Sequence, residues 1–281
     1  MSRIHNLFHG SARQSPKPPA APPAAAVLES ASSSAGAAVA APVIEFAREE
    51  AHFGPERRLI FHTDPRSPAA DRFRLLRMRL KDRSQTGRLK KLLITSPLSN
   101  DGKSTVTLNL ATALSERGKH TVLVVEADLH HSSIAGILKL RPWAGLTECL
   151  ADESISPLSA VRQIEPFGWH LLPAGEPRRN PTELLQSPAF GRIMQQLETC
   201  FDWILIDSPP VIPLTDSISL QQHADAGLLV VRAGQTPREA VEQTIDLLGK
   251  QNILGIVLNG MEARDHLYYQ YYGSTHPYAD E

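Results

Sequence analysis

A buried-type apolar run, Leu92 to Thr95, leads directly into Ser96-Pro97-Leu98-Ser99-Asn100-Asp101-Gly102-Lys103-Ser104-Thr105 and then into the apolar-periodic stretch VTLNLATAL. A strand that delivers a Gly-Lys-Ser step to the start of a helix restricts the chain to folds in which a sheet edge meets a helix N-terminus. At such a junction the backbone N–H groups and the helix N-terminus face a phosphate. Lys103 adds a point charge there, the Ser104 hydroxyl can reach Mg²⁺, and Thr105 offers a second phosphate contact. The strict pattern G-x-x-x-x-G-K-[ST] fails at its first glycine, which is Pro97 here. Asn100 suits the turn, because Asn enters positive φ more readily than most residues. A loop that merely caps a helix is the plainer reading of the tetrapeptide, and the position between strand and helix favours phosphate binding over it.

The rest of the chain alternates in the same way. Candidate strands are Leu92 to Thr95, Val122 to Val125, His170 to Leu172, Trp203 to Ile206, Gly227 to Val231 and Ile253 to Leu258, and candidate helices span about 68–83, 103–117, 188–200 and 237–250. Gly118 is expected to stop the second helix and Pro237 to occupy the first turn of the fourth. Short apolar runs separated by helices predict an α/β fold: a mostly parallel central sheet with helices on both faces, of the P-loop NTPase type. Two of these strands end in acids, Glu126 and Asp128 in TVLVVEADLHH and Asp207 in FDWILIDSPP. Carboxylates at strand C-terminal ends beside a phosphate loop are placed to hold Mg²⁺ and the attacking hydroxyl. Either acid segment alone would also fit a solvated strand end or a helix cap.

Composition sets the limits. With 29 Lys and Arg against 30 Asp and Glu, the net charge of −1 argues against a general nucleic-acid binder. No apolar run reaches the roughly 18 residues of a membrane span, and MSRIHNLFHG lacks the apolar stretch of a secretory signal, so a cytoplasmic location is expected. Cys149 and Cys200 are the only cysteines, which excludes a disulfide framework or a cysteine zinc site. Residues 11–45 are mostly Ala, Pro and Ser, a composition that cannot bury enough apolar surface to order itself. The expected organisation is an N-terminal arm over 1–60, a folded domain over 61–262 and a tail over 263–281. All five tyrosines, Tyr268, Tyr269, Tyr271, Tyr272 and Tyr278, lie in that tail, where packing is a poor explanation for them.

Taken together, SPLSNDGKST, VLVVEADL, ILIDSPP and the terminal tyrosines resemble the Walker A, Walker A′, Walker B and tyrosine cluster of the bacterial tyrosine kinases of polysaccharide export systems, within the deviant P-loop ATPases. LLPAGEPRRNPTELLQSPAF, ADAGLLVVRAGQTPREAV and GIVLNG also look like that family, from about residue 64 to residue 273. Partition ATPases of the same superfamily lack the tyrosine cluster and usually carry an early P-loop lysine, where this chain has Leu98. The resemblance implies ATP and Mg²⁺ as cofactors, with Asn100, Asp101, Gly102, Lys103, Ser104, Thr105 and Asn259 binding the nucleotide. It implies Ser104, Glu126 and Asp207 as metal ligands, and Lys103, Glu126, Asp128 and Asp207 as catalytic residues. Tyr268, Tyr269, Tyr271, Tyr272 and Tyr278 become autophosphorylation sites. Asp71, Arg74 and Arg77 fall on the family's E-x-x-R-x-x-R assembly pattern and, three apart, share a helix face. The alternative for that helix is a solvated charged face with Phe73, Leu76 and Leu80 packed inward.

Several positions depart from the family: Ser99-Asn100-Asp101 replaces Pro-Gly-Glu, Glu126 replaces an Asp, His130-His131 replaces a basic pair, and Asp71 opens the assembly pattern in place of Glu. Glu126 moves its charge one methylene outward, so Glu126→Asp is expected to raise activity. The implied function is an ATP-dependent tyrosine autokinase that phosphorylates its own tail and regulates exopolysaccharide or capsule production. The implied partners are a ring-like homo-oligomer, a separate transmembrane co-polymerase-type activator that recruits the protein to the inner membrane face, and a cognate phosphotyrosine phosphatase, with no specific nucleic acid. A weakly active nucleotide-dependent switch or scaffold of the same system, and a partition-type positioning ATPase, remain alternatives.

Overall fold

The computed structural model describes residues 45–86, 89–116 and 118–261. In chain order the elements begin with β1 (Ala47–Glu50), α1 (Ile60–Thr63), α2 (Pro68–Thr86), β2 (Lys91–Thr95), α3 (Lys103–Ser115) and β3 (Val122–Glu126). There follow α4 (Ile134–Leu138), α5 (Leu146–Ala151), α6 (Pro157–Ala160), β4 (Arg162–Glu165), β5 (Trp169–Leu172), α7 (Pro181–Gln186) and α8 (Pro188–Glu198). The last are β6 (Trp203–Asp207), α9 (Asp216–Gln221), β7 (Ala226–Arg232), α10 (Arg238–Leu248) and β8 (Ile253–Asn259).

The strands form one sheet in the order β1-β4-β5-β3-β6-β2-β7-β8. Every pairing is parallel except β4 with β5, so β1 and β4 run against the other six. Central strands of such a sheet are covered on both faces and therefore read as continuous apolar runs. Leu92, Ile94, Val124 and Leu205 pack on one side with Val106, Leu110 and Leu114 of α3 and Leu80 of α2. Leu93, Val125, Ile204 and Ile206 pack on the other with Phe190, Ile193, Met194 and Leu197 of α8.

The six expected strands and four expected helices are present, each within two or three residues of the expected bounds. Strands β1 (AREE) and β4 (RQIE) were not expected, because neither carries an apolar run. They are held by other means: Arg162 pairs with Glu49 at 2.7 Å, and the Phe46 ring packs 4.7 Å from His170 and 5.5 Å from Phe201. The folded domain thus begins near residue 45 instead of 61. Ala51 and Leu59 are buried in the core, and the Asn109 side chain of α3 accepts from Ile60 N–H at 2.8 Å and donates to Arg58 O at 3.0 Å. The rest of the expected arm, and the tail with its five tyrosines, lie outside the described residues. Two boundary details also differ. Glu116, at φ 46°, takes the left-handed position after α3 two residues before Gly118, and Pro237 precedes α10 instead of occupying its first turn.

The consequence for function lies in the order β3-β6-β2. Three adjacent parallel strands present their C-terminal ends together, with Glu126 in register with Asp207 and Asp207 in register with Ile94.

Candidate active site

The loop from Ser96 to Gly102 is braced by its neighbours as well as by its own sequence. Asn100 adopts φ 66° and Gly102 φ 95°, the left-handed conformations its residue types allow. A Cβ at Gly102 would come 2.0 Å from Nδ2 of Asn259, so φ favours glycine there and any side chain would displace the Asn259 amide. Asn259, at the end of β8, donates that Nδ2 to the carbonyl of Asp101 at 2.9 Å. Arg232, at the end of β7, donates Nη1 to the carbonyl of Asn100 at 2.9 Å. The Asp101 carboxylate is buried and turned into the loop, accepting from the Thr236 hydroxyl at 2.7 Å and from Leu98 N–H at 3.2 Å. With these carbonyls and the Asp101 side chain tied to the protein, the loop is held open for an anion at the N-terminus of α3.

Lys103 is the first residue of α3 and is nearly buried, close enough to Asp207 to pull the acid's pKa down. Ser104 donates to Oδ2 of Asp207 at 2.7 Å and Thr107 to Oδ1 at 3.0 Å. Despite these contacts, burial pushes the Asp207 carboxyl up to about 7; the Ser104 bond and the Lys103 charge oppose the rise, and Glu126 adds to it. A buried acid in this state is stabilised as a carboxylate by a cation. The oxygen set of Ser104 and Asp207 suits Mg²⁺, which binds through one or two protein ligands together with substrate phosphates. No group of three or more His, Cys, Asp or Glu that could hold a metal occurs among the described residues.

Glu126 is differently engaged from the sequence expectation. Its Oε1 accepts from Ser133 N–H and Ile134 N–H, both at 2.7 Å, and its Oε2 from Ala174 N–H at 3.1 Å. Burial raises its pKa, against the pull of these three donors. The extra methylene thus lets Glu126 fasten the start of α4 and the loop after β5, leaving one acceptor position on Oε2 for anything else. Ser133, held this way, donates its hydroxyl to Ser104 at 2.9 Å. Asp128 is buried, and its Oδ1 accepts from His131 N–H at 3.0 Å.

The site therefore brings together Asn100, Asp101, Gly102, Lys103, Ser104, Asp207, Glu126 and Asn259, and Thr105 and Asp128 adjoin it in sequence. Asp71, Arg74 and Arg77 are placed elsewhere, on α2, and are engaged within the chain. Arg74 bonds Asp71 at 2.7 Å and Pro65 O at 2.6 Å, and Arg77 bonds Ala113 O at 3.3 Å and lies 3.5 Å from Glu116. Sequence reasoning missed Arg232, Thr236, Ser133 and Thr107. The signal for Arg232 was a basic residue closing the apolar run AGLLVV, at a strand end beside the loop.

Residues 89–266 match the ParA family described as NUBPL iron-transfer P-loop NTPase. The tyrosine-protein kinase YwqD of Bacillus subtilis is 30% identical over 221 residues, covering 78% of this chain and 92% of the relative. The succinoglycan biosynthesis transport protein ExoP of Rhizobium meliloti is 28% identical over 227 residues, covering 74% of this chain and 29% of ExoP. The crystal structure of the chimerical protein CapA2B2 superposes with a TM-score of 0.67 at 26% identity, covering 76% of this chain and 93% of that one. With the P-loop, the two acidic strand ends and this kinship in hand, the chain belongs to the ParA-type P-loop NTPases and, within them, to the bacterial tyrosine kinases.

Proposed function

We propose that the protein is an ATP- and Mg²⁺-dependent tyrosine autokinase whose acceptors are Tyr268, Tyr269, Tyr271, Tyr272 and Tyr278. The observation that carries the reading is the 2.7 Å bond between Ser104 of the phosphate loop and the fully buried Asp207, beside Lys103, in a kinase-family chain whose tyrosines all lie in its tail. Mg·ATP supplies the γ-phosphoryl group when bound. The N–H groups at the start of α3 orient the phosphates, with Asn100, Gly102 and Thr105 lining the loop, and Lys103 offsets charge that builds on the transferring group. Ser104 and Asp207 hold the metal side of the site, with the remaining acceptor position of Glu126 nearby. Asp128 accepts the proton of the tyrosine hydroxyl. Asn259 and Asp101 act by keeping the loop open.

Tyr268 lies nine positions beyond Asn259, about 30 Å if extended, which lets the tail reach its own site or a neighbour's. A ring-like homo-oligomer built on the α2 face, a transmembrane activator, a phosphotyrosine phosphatase and a role in polysaccharide export extend the same reading, supported by kinship to ExoP. No helix among the described residues is long and apolar enough to cross a membrane. Incubation with Mg·ATP followed by phosphotyrosine immunodetection tests the proposal. Wild type gains signal and Lys103→Met, with unchanged far-UV circular dichroism, does not; undiminished signal in the variant excludes the P-loop mechanism.

A further inference from the structure

The loop between β3 and α4 carries Asp128 and Ser133, and its position depends on a contact outside the Walker motifs. His130 stands two residues past Asp128, and its Nε2 lies 2.7 Å from Oδ2 of Asp216, the first residue of α9. Asp216 is 0% exposed, and its other oxygen, Oδ1, has no hydrogen-bond partner. A buried carboxylate with one bare oxygen depends heavily on the partner of the other, because losing that partner leaves an uncompensated charge in the interior. The same His130 Nε2 lies 3.4 Å from Oγ1 of Thr182, in the first turn of α7. One imidazole thus joins the loop after β3 to the first turns of the helices that follow β5 and β6.

What it holds is the chemistry-bearing stretch. His131 N–H donates to Asp128 at 3.0 Å, and Ser133 donates its hydroxyl to Ser104 at 2.9 Å, so the stretch on either side of His130 touches both the proton-accepting acid and the phosphate loop. Glu126 fastens the far end of the stretch through Ser133 and Ile134 N–H, and His130 fastens its middle.

We propose that His130 is a positioning residue for phosphoryl transfer: the His130–Asp216 pair clasps the loop after β3, which keeps Ser133 on Ser104 of the phosphate loop and fixes the place of Asp128. This builds on the kinase reading above. The full chain is compared as wild type, His130→Ala, His130→Gln, which keeps an N–H near the Nε2 position, and His130→Ala with Asp216→Asn, which removes the unpaired charge. His130→Ala lowers kcat for autophosphorylation about 10- to 100-fold, the cost of a displacement near 1 Å, with KM for ATP changed less than about 3-fold. His130→Gln stays within about 3-fold of wild type, by the same measure of retained geometry. The double variant recovers thermal stability and leaves kcat low. Normal kcat in His130→Ala, or kcat restored by adding Asp216→Asn, overturns the proposal and leaves the pair a matter of packing. Hydrogen exchange of residues 127–133 reads the clasp independently of phosphotransfer: it quickens in His130→Ala and stays slow in His130→Gln. Unchanged exchange in His130→Ala overturns the clasp even if wild type makes no phosphotyrosine, a result that would count instead against the kinase reading.

Discussion

Asp207→Asn should stabilise the nucleotide-free protein while destroying its response to Mg·ATP. The Asp207 side chain is buried, and its pKa rises from 3.8 to about 7 on folding. Between those two values the native state keeps a proton that the unfolded chain has released, so stability falls as pH rises, by about 1.4 kcal/mol per pH unit. Across roughly three units the loss is about 4 kcal/mol, complete above pH 7 and absent below pH 4. Asparagine has nearly the same shape, can bond Ser104 and Thr107, and carries no charge, so it escapes this loss. Thermal unfolding in EDTA should therefore give similar midpoints for both proteins at low pH. By pH 8 the variant should melt higher by about 8–16 °C, on the scale of 2–4 °C per kcal/mol for a domain of this size. Adding Mg·ATP should shrink the gap, by about 2.7 kcal/mol at a hundredfold excess over Kd, because only wild type gains stabilisation by binding. A gap that is constant with pH, or a variant that melts lower throughout, would refute the claim that a desolvated carboxylate awaits a cation at this position.

Gly102→Ala places a Cβ 2.0 Å from Asn259 Nδ2 at φ 95°, so it should cost about 1–3 kcal/mol and abolish binding of a fluorescent ATP analogue, and Asn259→Ala in the same chain should restore part of the stability but little of the binding. Glu126→Asp, expected from the motif alone to raise activity, should lower it, since a shorter side chain gives up donors among Ser133, Ile134 and Ala174; a drop of about 1–3 kcal/mol in urea unfolding checks the cause. Arg77→Ala should cost about 1 kcal/mol through its lost bond to Ala113 O and contact with Glu116, and by light scattering it should weaken ATP-dependent assembly.

Much of the central sheet was legible because Leu92–Ile94, Val122–Val125 and Trp203–Ile206 are buried on both faces and must be apolar throughout. Glu126 and Asp207 stood out against those runs for the same reason. The edge strand Ala47–Glu50 and its neighbour Arg162–Glu165 were not legible, since their pairing is carried by backbone bonds and a Glu49–Arg162 ion pair that leave no periodic apolar trace. The short helices at Ile134–Leu138 and Asp216–Gln221 were missed likewise, being too brief to show a 3.6-residue period. Motif position identified which acids lie near the phosphate loop, but only the geometry separates their tasks: Asp101 is tied to Thr236 and Leu98 and Glu126 to three backbone N–H groups, whereas Asp207 accepts from Ser104 of the phosphate loop and from Thr107, beside Lys103. Long-range partners such as Arg232, Thr236 and Asp216 are set by strand order, which residue type does not encode.

Whether this site transfers phosphate to the chain's own tail is decided by site-resolved mass spectrometry of the purified protein after incubation with Mg·ATP. Phosphate should appear on tyrosines among Tyr268, Tyr269, Tyr271, Tyr272 and Tyr278, and be absent without Mg²⁺ and absent in Lys103→Met. ATP bound and hydrolysed with every one of those tyrosines unmodified would contradict it.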